Sequence, residues 1–236
     1  MSEKAASASE KPVILIVEDE RGLAELYGLW LSEYFQTRIA YDGQEALKLL
    51  DESVDVVLLD RRMPGVSGDE LLHTIRETSF DGQIAMVSGV EPDEEIADLP
   101  IDDYLTKPVA RDQLEDAVDG LLLRSGIEAA KQELLALISR KITLEERYRR
   151  DQLEEIQEYQ QLQEKIEHAT ENGNLSTHRV TSKFRPDECP ECTLRWDLAV
   201  DGTVGFIRLG SNVWECSRCG EVVYVSDPSD RKIARR

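Results

Sequence analysis

The sequence predicts a doubly wound α/β unit built on a five-stranded parallel sheet, followed by an α-helical connector and a small metal-stapled β unit. Three observations carry this expectation. Two apolar runs, 13–17 and 54–59, the second broken only by Asp55, stop abruptly at acids: Glu18 and Asp19 after the first, Asp60 after the second. Runs this apolar read as strands buried on both faces, which requires helices on both sides of a parallel sheet. Strand-like and helix-like segments then alternate up to Arg124, the pattern of a doubly wound domain. Finally, all four cysteines lie in the last 50 residues as two C-x-x-C pairs, a placement that speaks for metal rather than disulfides.

Taken in order, VILIV (13–17) is the first strand, and residues 22–34 place apolar side chains at 23, 26, 27, 30, 31 and 34, which is helical spacing. TRIAY (37–41) is a short strand. Residues 42–50 form a helix capped by Asp42, with Ala46, Leu47 and Leu50 inward. After the strand that ends in Asp60, residues 68–78 are helical through Leu71, Leu72 and Ile75. QIAMVSG (83–89) is a strand ending in Ser88, and a loop with Pro92 leads into a short acidic helix. The last strand, Tyr104 to Thr106, ends in Lys107, and 111–124 is a helix with Leu114, Ala117, Val118, Leu121 and Leu122 inward. Five strands thus alternate with five helices.

Residues 127–171 contain neither Pro nor Gly and are dense in Glu, Gln, Arg and Leu, so they are helical. Apolar residues at 127, 130, 134, 135, 138 and 142 form one stripe, and those at 153, 156, 159, 162, 166 and 169 another. Thr143 with Glu146 fits a capping box, and 147–152 is polar throughout, so the helix breaks or changes face between the stripes. The two halves either fold back as a hairpin or pair across a dimer. Such a stripe is packing surface rather than a ligand site. Residues 171–178 are turn-rich; beyond them TLRWDLAV, VGFIRL, VWEC and EVVYV alternate with Gly and Asp turns. The expected layout is a disordered N-terminus over 1–11, an α/β domain over 12–124, a helical segment over 125–172, a linker over 173–184, a β unit over 185–226 and a basic tail over 227–236.

The 236 residues carry a net charge of −20, unevenly spread: residues 1–110 hold 9 basic and 24 acidic side chains, whereas residues 175–236 hold 10 and 9. Only the C-terminal quarter, then, does not repel nucleic acid outright. A surplus this acidic keeps a protein soluble at the expense of self-repulsion, a combination halophilic proteins use, and 19 Arg against 9 Lys suits a high-salt cytoplasm. With no long apolar run and a polar start, the chain reads as soluble and cytoplasmic.

In a doubly wound sheet the strand ends converge, which brings Glu18, Asp19, Asp60, Ser88 and Lys107 into one cleft. Any one acid there could be a nucleophile, a metal ligand or a helix cap. Three carboxylates this close cannot all ionise unless a cation joins them, and an all-oxygen site with open water positions suits Mg²⁺. With charge neutralised, Asp60 can attack a phosphoryl group while Lys107 and Ser88 hold its new oxygens.

The set Asp19, Asp60-x-x-Met63-Pro64-x-x-x-Gly68, Ser88 and Lys107-Pro108 resembles the receiver domain of two-component response regulators, over residues 12–124. The resemblance implies a flavodoxin-like fold with Asp60 as phosphoacceptor, and Asp19 and the main-chain carbonyl of Arg62 as Mg²⁺ ligands beside Glu18 and Asp60. It further implies Ser88 as switch hydroxyl, Lys107 as phosphate-binding lysine and Tyr104 as aromatic switch. The phosphoryl donor would be a sensor histidine kinase, and the face made by the fourth helix, fifth strand and fifth helix would change partner. Positions 62 and 90, which tune self-dephosphorylation in receivers, are Arg and Val here; Val90 cannot orient a water, so a long-lived phosphoryl state is expected. The stretch 139–166 resembles the HalX domain found after receivers in salt-loving archaea.

Cys189, Cys192, Cys216 and Cys219 form two knuckles that can close a tetrahedral Cys₄ Zn²⁺ site with no open position, hence a structural metal; the unit looks like a zinc ribbon. His178 lies outside the knuckles. Arg195, Trp196, Phe206, Arg208, Trp214 and Arg218, followed by Arg231, Lys232, Arg235 and Arg236, could stack bases and hold phosphates, although a small ribbon also needs aromatics for its own core. The function expected is a phosphorelay response regulator, not an enzyme beyond self-phosphorylation and self-dephosphorylation at Asp60. Its output is transcriptional regulation through nucleic acid or the transcription machinery, with a homodimer as one mode. The alternative is a protein–protein signalling adaptor without nucleic-acid binding.

Overall fold

The computed structural model describes residues 11–78, 80–173, 175, 177–180, 187–195, 206–210 and 212–225. The tail 227–236, Trp196 with the rest of the strand expected there, and all but Lys11 of the N-terminal segment lie outside the described residues. Strands β1 (Val13–Val17), β2 (Gln36–Ala40), β3 (Val54–Leu59), β4 (Gln83–Ser88) and β5 (Asp103–Thr106) form one parallel sheet in the order β2-β1-β3-β4-β5. β1 and β4 are buried at every position and β3 at every position but Asp55, as their unbroken apolar runs require. Helices α1 (Arg21–Leu31) and α4 (Arg111–Arg124) cover one face through Tyr27, Leu31, Leu114, Ala117, Val118 and Leu121. Helices α2 (Gly43–Leu49) and α3 (Gly68–Arg76) cover the other through Ala46, Leu71, Leu72 and Ile75. Asp42 caps α2 by accepting from the Glu45 N–H, and Ser67 with Glu70 forms a capping box on α3.

Between β4 and β5 the expected short acidic helix is a single 3-10 turn, Glu94–Ala97. Only Ile96 and Ala97 are apolar there, and Pro92 and Pro100 bound the segment, so it lacks the stripe that would hold a full helix on the sheet. That space is filled from elsewhere: α5 (Ala129–Arg147) packs on the 3-10 turn and on β5. After a short α6 (Arg150–Leu153), α7 (Gln157–Gly173) packs against α5 within the chain. The two stripes therefore meet as an intramolecular pair, with Leu134, Leu135, Ile138, Ile142, Leu153, Tyr159, Leu162 and Ile166 buried in one core.

The C-terminal sheet has the order β6-β9-β8-β7, from β6 (Thr177–Val180), β7 (Phe206–Gly210), β8 (Val213–Cys216) and β9 (Val222–Val225). β7 to β9 are antiparallel neighbours; β6 runs parallel to β9 and pairs His178 with Val223. β6 falls within the stretch read above as linker, because it takes its structure from the edge of β9 rather than from its own composition. Leu209, Val213, Val222 and Tyr224 join the α5/α7 core together with Ala97, so one apolar core spans all three parts of the chain.

Candidate functional site

The carboxyl ends of β1, β3, β4 and β5 put the acids, Ser88 and Lys107 at one edge of the sheet. Glu18, Asp19 and Asp60 each offer an oxygen within 4.8 Å of the others; Glu18 is 3% and Asp60 7% exposed, while Asp19 faces solvent. Lys107 Nζ donates to Glu18 Oε2 at 2.6 Å and to Asp60 Oδ2 at 3.0 Å. Burial pushes the Glu18 carboxyl above its ordinary value, and the contacts with Lys107 offset this only in part. Burial alone would lower Lys107, but its bonds to Glu18 and Asp60 outweigh that and hold the ammonium above the usual lysine range. An oxygen cluster of this size fits the octahedron of Mg²⁺, whose ligands sit at about 2.1 Å, with Asp19 open to the solvent that would supply its waters.

The loop after Asp60 is shaped for close approach. A Cβ at Gly68 would stand 2.2 Å from the Asp60 carbonyl oxygen, so only glycine lets the start of α3 lie against the end of β3; the Gly68 N–H donates to the Arg61 carbonyl at 2.8 Å. Gly65, at φ +87°, makes the turn before it. The Arg62 N–H donates to Asp60 Oδ1 at 3.3 Å, which leaves its side chain exposed. Ser88 is wholly buried, and its Oγ accepts from the Val90 N–H at 3.2 Å. Tyr104 is turned inward, 6% exposed, and its hydroxyl donates to the Val90 carbonyl at 2.9 Å; burial raises its pKa. Every strand-end residue expected from the sequence is thus brought to this edge.

The four cysteines meet in a second cluster, again within 4.8 Å, with Sγ–Sγ distances of 3.6 Å for Cys189–Cys219 and for Cys192–Cys216. A tetrahedron with Zn–S bonds of about 2.3 Å has edges near 3.8 Å, so the thiols fit zinc. The two knuckles repeat one design. The N–H four residues after the first cysteine returns to that cysteine's carbonyl, from Thr193 to Cys189 and from Gly220 to Cys216, each at 2.9 Å. Burial pushes the Cys219 thiol up to about 12, with neighbouring thiols adding to the rise. At Cys216 burial acts in the same direction, but the Cys219 and Arg218 N–H groups overcome it and bring the thiol down to about 7. Such a divided set becomes four thiolates only when a cation joins it.

The basic and aromatic set is not one open face. Arg208 is paired with Asp116 on α4, Trp214 is buried, and Phe206 packs on the cysteine cluster; Arg195 and Arg218 are exposed. Trp196 and the four tail cations lie outside the described residues. Sequence reasoning passed over two buried arginines. Arg61, beside Asp60 and 7% exposed, reaches Asp69, Asp93 and Glu95. Arg124 is wholly buried; its signal was its position, three residues beyond Leu121 on the inward stripe of α4.

Residues 14–119 match the model of the response regulator receiver domain, residues 123–172 the HalX domain, and residues 185–234 Halobacterial output domain 2. A Haloferax volcanii protein provisionally named as a transcriptional regulator is 46% identical over 149 residues, 60% of this chain and 26% of that protein. Transcriptional regulatory protein CpxR of Escherichia coli K12 is 38% identical over 115 residues, 48% of this chain and 50% of that protein. The chain therefore spans half or less of these two relatives. A crystal structure of a CheY-like response regulator receiver domain protein from Methanospirillum hungatei superposes with a TM-score of 0.47 at 26% identity, covering 49% of this chain and 97% of that one. Among the described residues no helix is long and apolar enough to cross a membrane.

Proposed function

We propose, from the premise that this chain is a receiver-domain response regulator with HalX and output segments, that it accepts a phosphoryl group on Asp60 from a sensor histidine kinase and passes the change to its connector and ribbon. The observation that carries this reading is the position of Lys107, whose ammonium bridges Glu18 and Asp60 at the head of the sheet. It sits 3.0 Å from Asp60 Oδ2 and stands ready for an incoming phosphoryl oxygen. An Asp60 carboxylate oxygen forms the new P–O bond as the bond from phosphorus to the donor's imidazole nitrogen breaks. Mg²⁺ held by Glu18, Asp19, Asp60 and the Arg62 carbonyl would neutralise the acids and the transferred group. Ser88 then bonds a phosphoryl oxygen, and Tyr104, already turned inward on the Val90 carbonyl, is in place to hold that arrangement. A small phosphodonor should add one phosphoryl group by intact mass, and Asp60→Asn should abolish it; phosphorylation of the variant to the same extent overturns the assignment. With Val90 and Arg62 in the tuning positions the phosphoryl group should persist, and a half-life of seconds would contradict this.

The domain limits proposed are 12–124 for the receiver, 125–172 for the connector and 185–226 for the zinc ribbon. Transcriptional regulation is the output proposed, supported by the names of the relatives. The pairing of Arg208 with Asp116 favours a second reading, a protein-binding adaptor, because it takes a ribbon cation away from phosphate. Binding of double-stranded DNA that weakens steeply with salt supports the first reading, and none at any salt supports the second.

A further inference from the structure

Arg61 is a buried cation one residue beyond Asp60, and the phosphoryl chemistry gives it no task. Its main chain is fixed by the start of α3: the Gly68 N–H donates to its carbonyl at 2.8 Å, and a Cβ at Gly68 would stand 2.7 Å from its Cα. Its side chain is fixed at the base as well, where Nε donates to Asp69 Oδ1 and Oδ2 at 3.2 and 3.1 Å. The far end crosses to the segment after β4, with Nη1 donating to Asp93 Oδ2 at 3.0 Å and Nη2 to Glu95 Oε2 at 3.3 Å. Residues 89–93 belong to no strand or helix, so their course depends on such side-chain contacts. The Arg61 side chain is 7% exposed, whereas those of Asp93 and Glu95 are 42% and 74% exposed. A guanidinium out of water needs partners for its donors; a carboxylate in contact with water does not. The arginine therefore draws the loop in, and not the reverse.

The loop held in this way carries the partner of Tyr104. The Tyr104 hydroxyl donates to the Val90 carbonyl at 2.9 Å, and the Val90 N–H donates to Ser88 Oγ at 3.2 Å. Burial raises the Tyr104 pKa, while the Ser88 hydroxyl and the Arg61 guanidinium act to lower it, which places both beside the phenol. A cleft of about 440 Å³ borders the ring, lined also by Glu91, Thr106, Thr143 and Arg208. The ring thus has space to swing out, yet Tyr104 is only 6% exposed. What its hydroxyl binds, rather than lack of room, sets the inward position. Arg147–Glu91 and Tyr148–Glu94 reach the same loop from the connector, but through exposed contacts, which contribute little.

We propose that Arg61 is a positioning residue of the Asp60 site: it draws in the 90–95 loop, holds Tyr104 inward through contacts that the chain itself supplies, and so closes the loop over a phosphoryl group on Asp60. The last step rests on the phosphoacceptor reading above. The ring that the family resemblance casts as a moving switch is then preset, and its position does not wait for phosphoryl transfer.

Fluorine NMR of the full chain labelled with fluorotyrosine tests this, with the Tyr104 resonance assigned through Tyr104→Phe. In the unphosphorylated, unsubstituted protein that resonance should show the small difference between light and heavy water of a buried ring, and keep it when beryllofluoride and Mg²⁺ are added. In Arg61→Met the difference should rise to that of an exposed tyrosine, while amides of β1 and β3 stay protected. The same is expected of Asp93→Ala combined with Glu95→Ala, which removes the loop's side of the contact and leaves Arg61 in place. Arg61→Lys keeps the charge without the fork and should fall between. A ring that stays buried in both Arg61→Met and the double variant overturns the proposal. So does a ring that is exposed in the unsubstituted protein and turns inward only with beryllofluoride. Phosphoaspartate formed with acetyl phosphate should decay about tenfold faster in Arg61→Met, the loss expected for a hydrogen bond from a charged donor; an equal lifetime in a variant whose ring is released overturns the closure over Asp60. If no form takes up a phosphoryl group, the phosphoacceptor reading fails instead, and the fluorine spectra still decide whether Arg61 sets the ring.

Discussion

The chain gathers like charges twice, and the two places solve the problem differently. At the head of the parallel sheet, the oxygens of Glu18, Asp19 and Asp60 are balanced from within by Lys107. At the knuckles, four sulfurs come equally close, and among the described residues burial, main-chain N–H groups and neighbouring thiols, with no cation among them, set the thiol pKa values of Cys189, Cys216 and Cys219. A site with its own cation can fold without metal and exchange ligands, as a reaction centre must. A site that lacks one acquires its structure from the ion. The sequence already divides the two, chemistry at the strand ends and a structural metal at the knuckles, and the difference gives that division a physical basis.

The largest effect should therefore fall on the knuckles. Cys216→Ser would remove one of the four thiols that could hold a zinc ion, and structural zinc sites bind with a free energy on the order of 10 kcal/mol. Amide protection over Val213–Cys216 and Val222–Val225 should vanish while β1 and β3 remain protected; retained protection of β8 and β9 in metal-free protein would erase the distinction. Withholding Mg²⁺ from the unsubstituted chain should leave β1 and β3 unaffected. A smaller effect is expected where the internal cation is removed. Lys107→Met leaves the buried Glu18 and Asp60 uncompensated, and with allowance for the solvent that still reaches the site it should lower stability by about 2–3 kcal/mol in Mg²⁺-free buffer at neutral pH. Urea unfolding with and without Mg²⁺ checks this, and added Mg²⁺ should restore part of the loss.

The pH dependence of that variant sharpens the contrast further. Burial raises Glu18 in the fold, so its ionised form disfavours the folded state. The penalty is absent below the unfolded-state pKa and complete above the folded one. Without Lys107 to offset it, the deficit of Lys107→Met should shrink as pH falls from 7 toward the ordinary glutamate range. A deficit that stays constant over that window would mean that carboxylate repulsion is not its source.

How much of this could be read in one dimension depended on whether a residue's meaning was local. Uninterrupted apolar runs that end in acids define buried strands and their terminal site, so Glu18, Asp60, Ser88 and Lys107 converge as the sequence implies, and C-x-x-C spacing defines each knuckle by itself. The stripes on α5 and α7 told which side chains would be buried, but a stripe does not say what covers it: Ala97 of the receiver and Val213 of the ribbon share that core. Arg124 was illegible for the same reason. A charge on an inward stripe looks like an end-of-helix residue until Leu209 and Ser139, distant in sequence, turn out to be its acceptors. β6 was hidden because its pairing comes from β9 and not from its own residues.

The smallest expected effect compares the knuckles with each other. Both turn through the left-handed region at the residue after the second cysteine, Thr193 at φ +56° and Gly220 at φ +76°, and each of these residues returns its N–H to the first cysteine of its pair. Glycine takes that conformation without steric penalty, whereas a β-branched residue is strained there by roughly 1–2 kcal/mol. Thr193→Gly gives up some unfolded-state entropy in exchange, so the net gain should be about 0.5–1 kcal/mol, seen as slower exchange of the Cys189 and Thr193 amides and slower zinc transfer to a chelator. Gly220→Thr should produce the opposite change, and a loss of stability in Thr193→Gly would mean that the threonine side chain holds the knuckle through contacts stronger than its backbone strain.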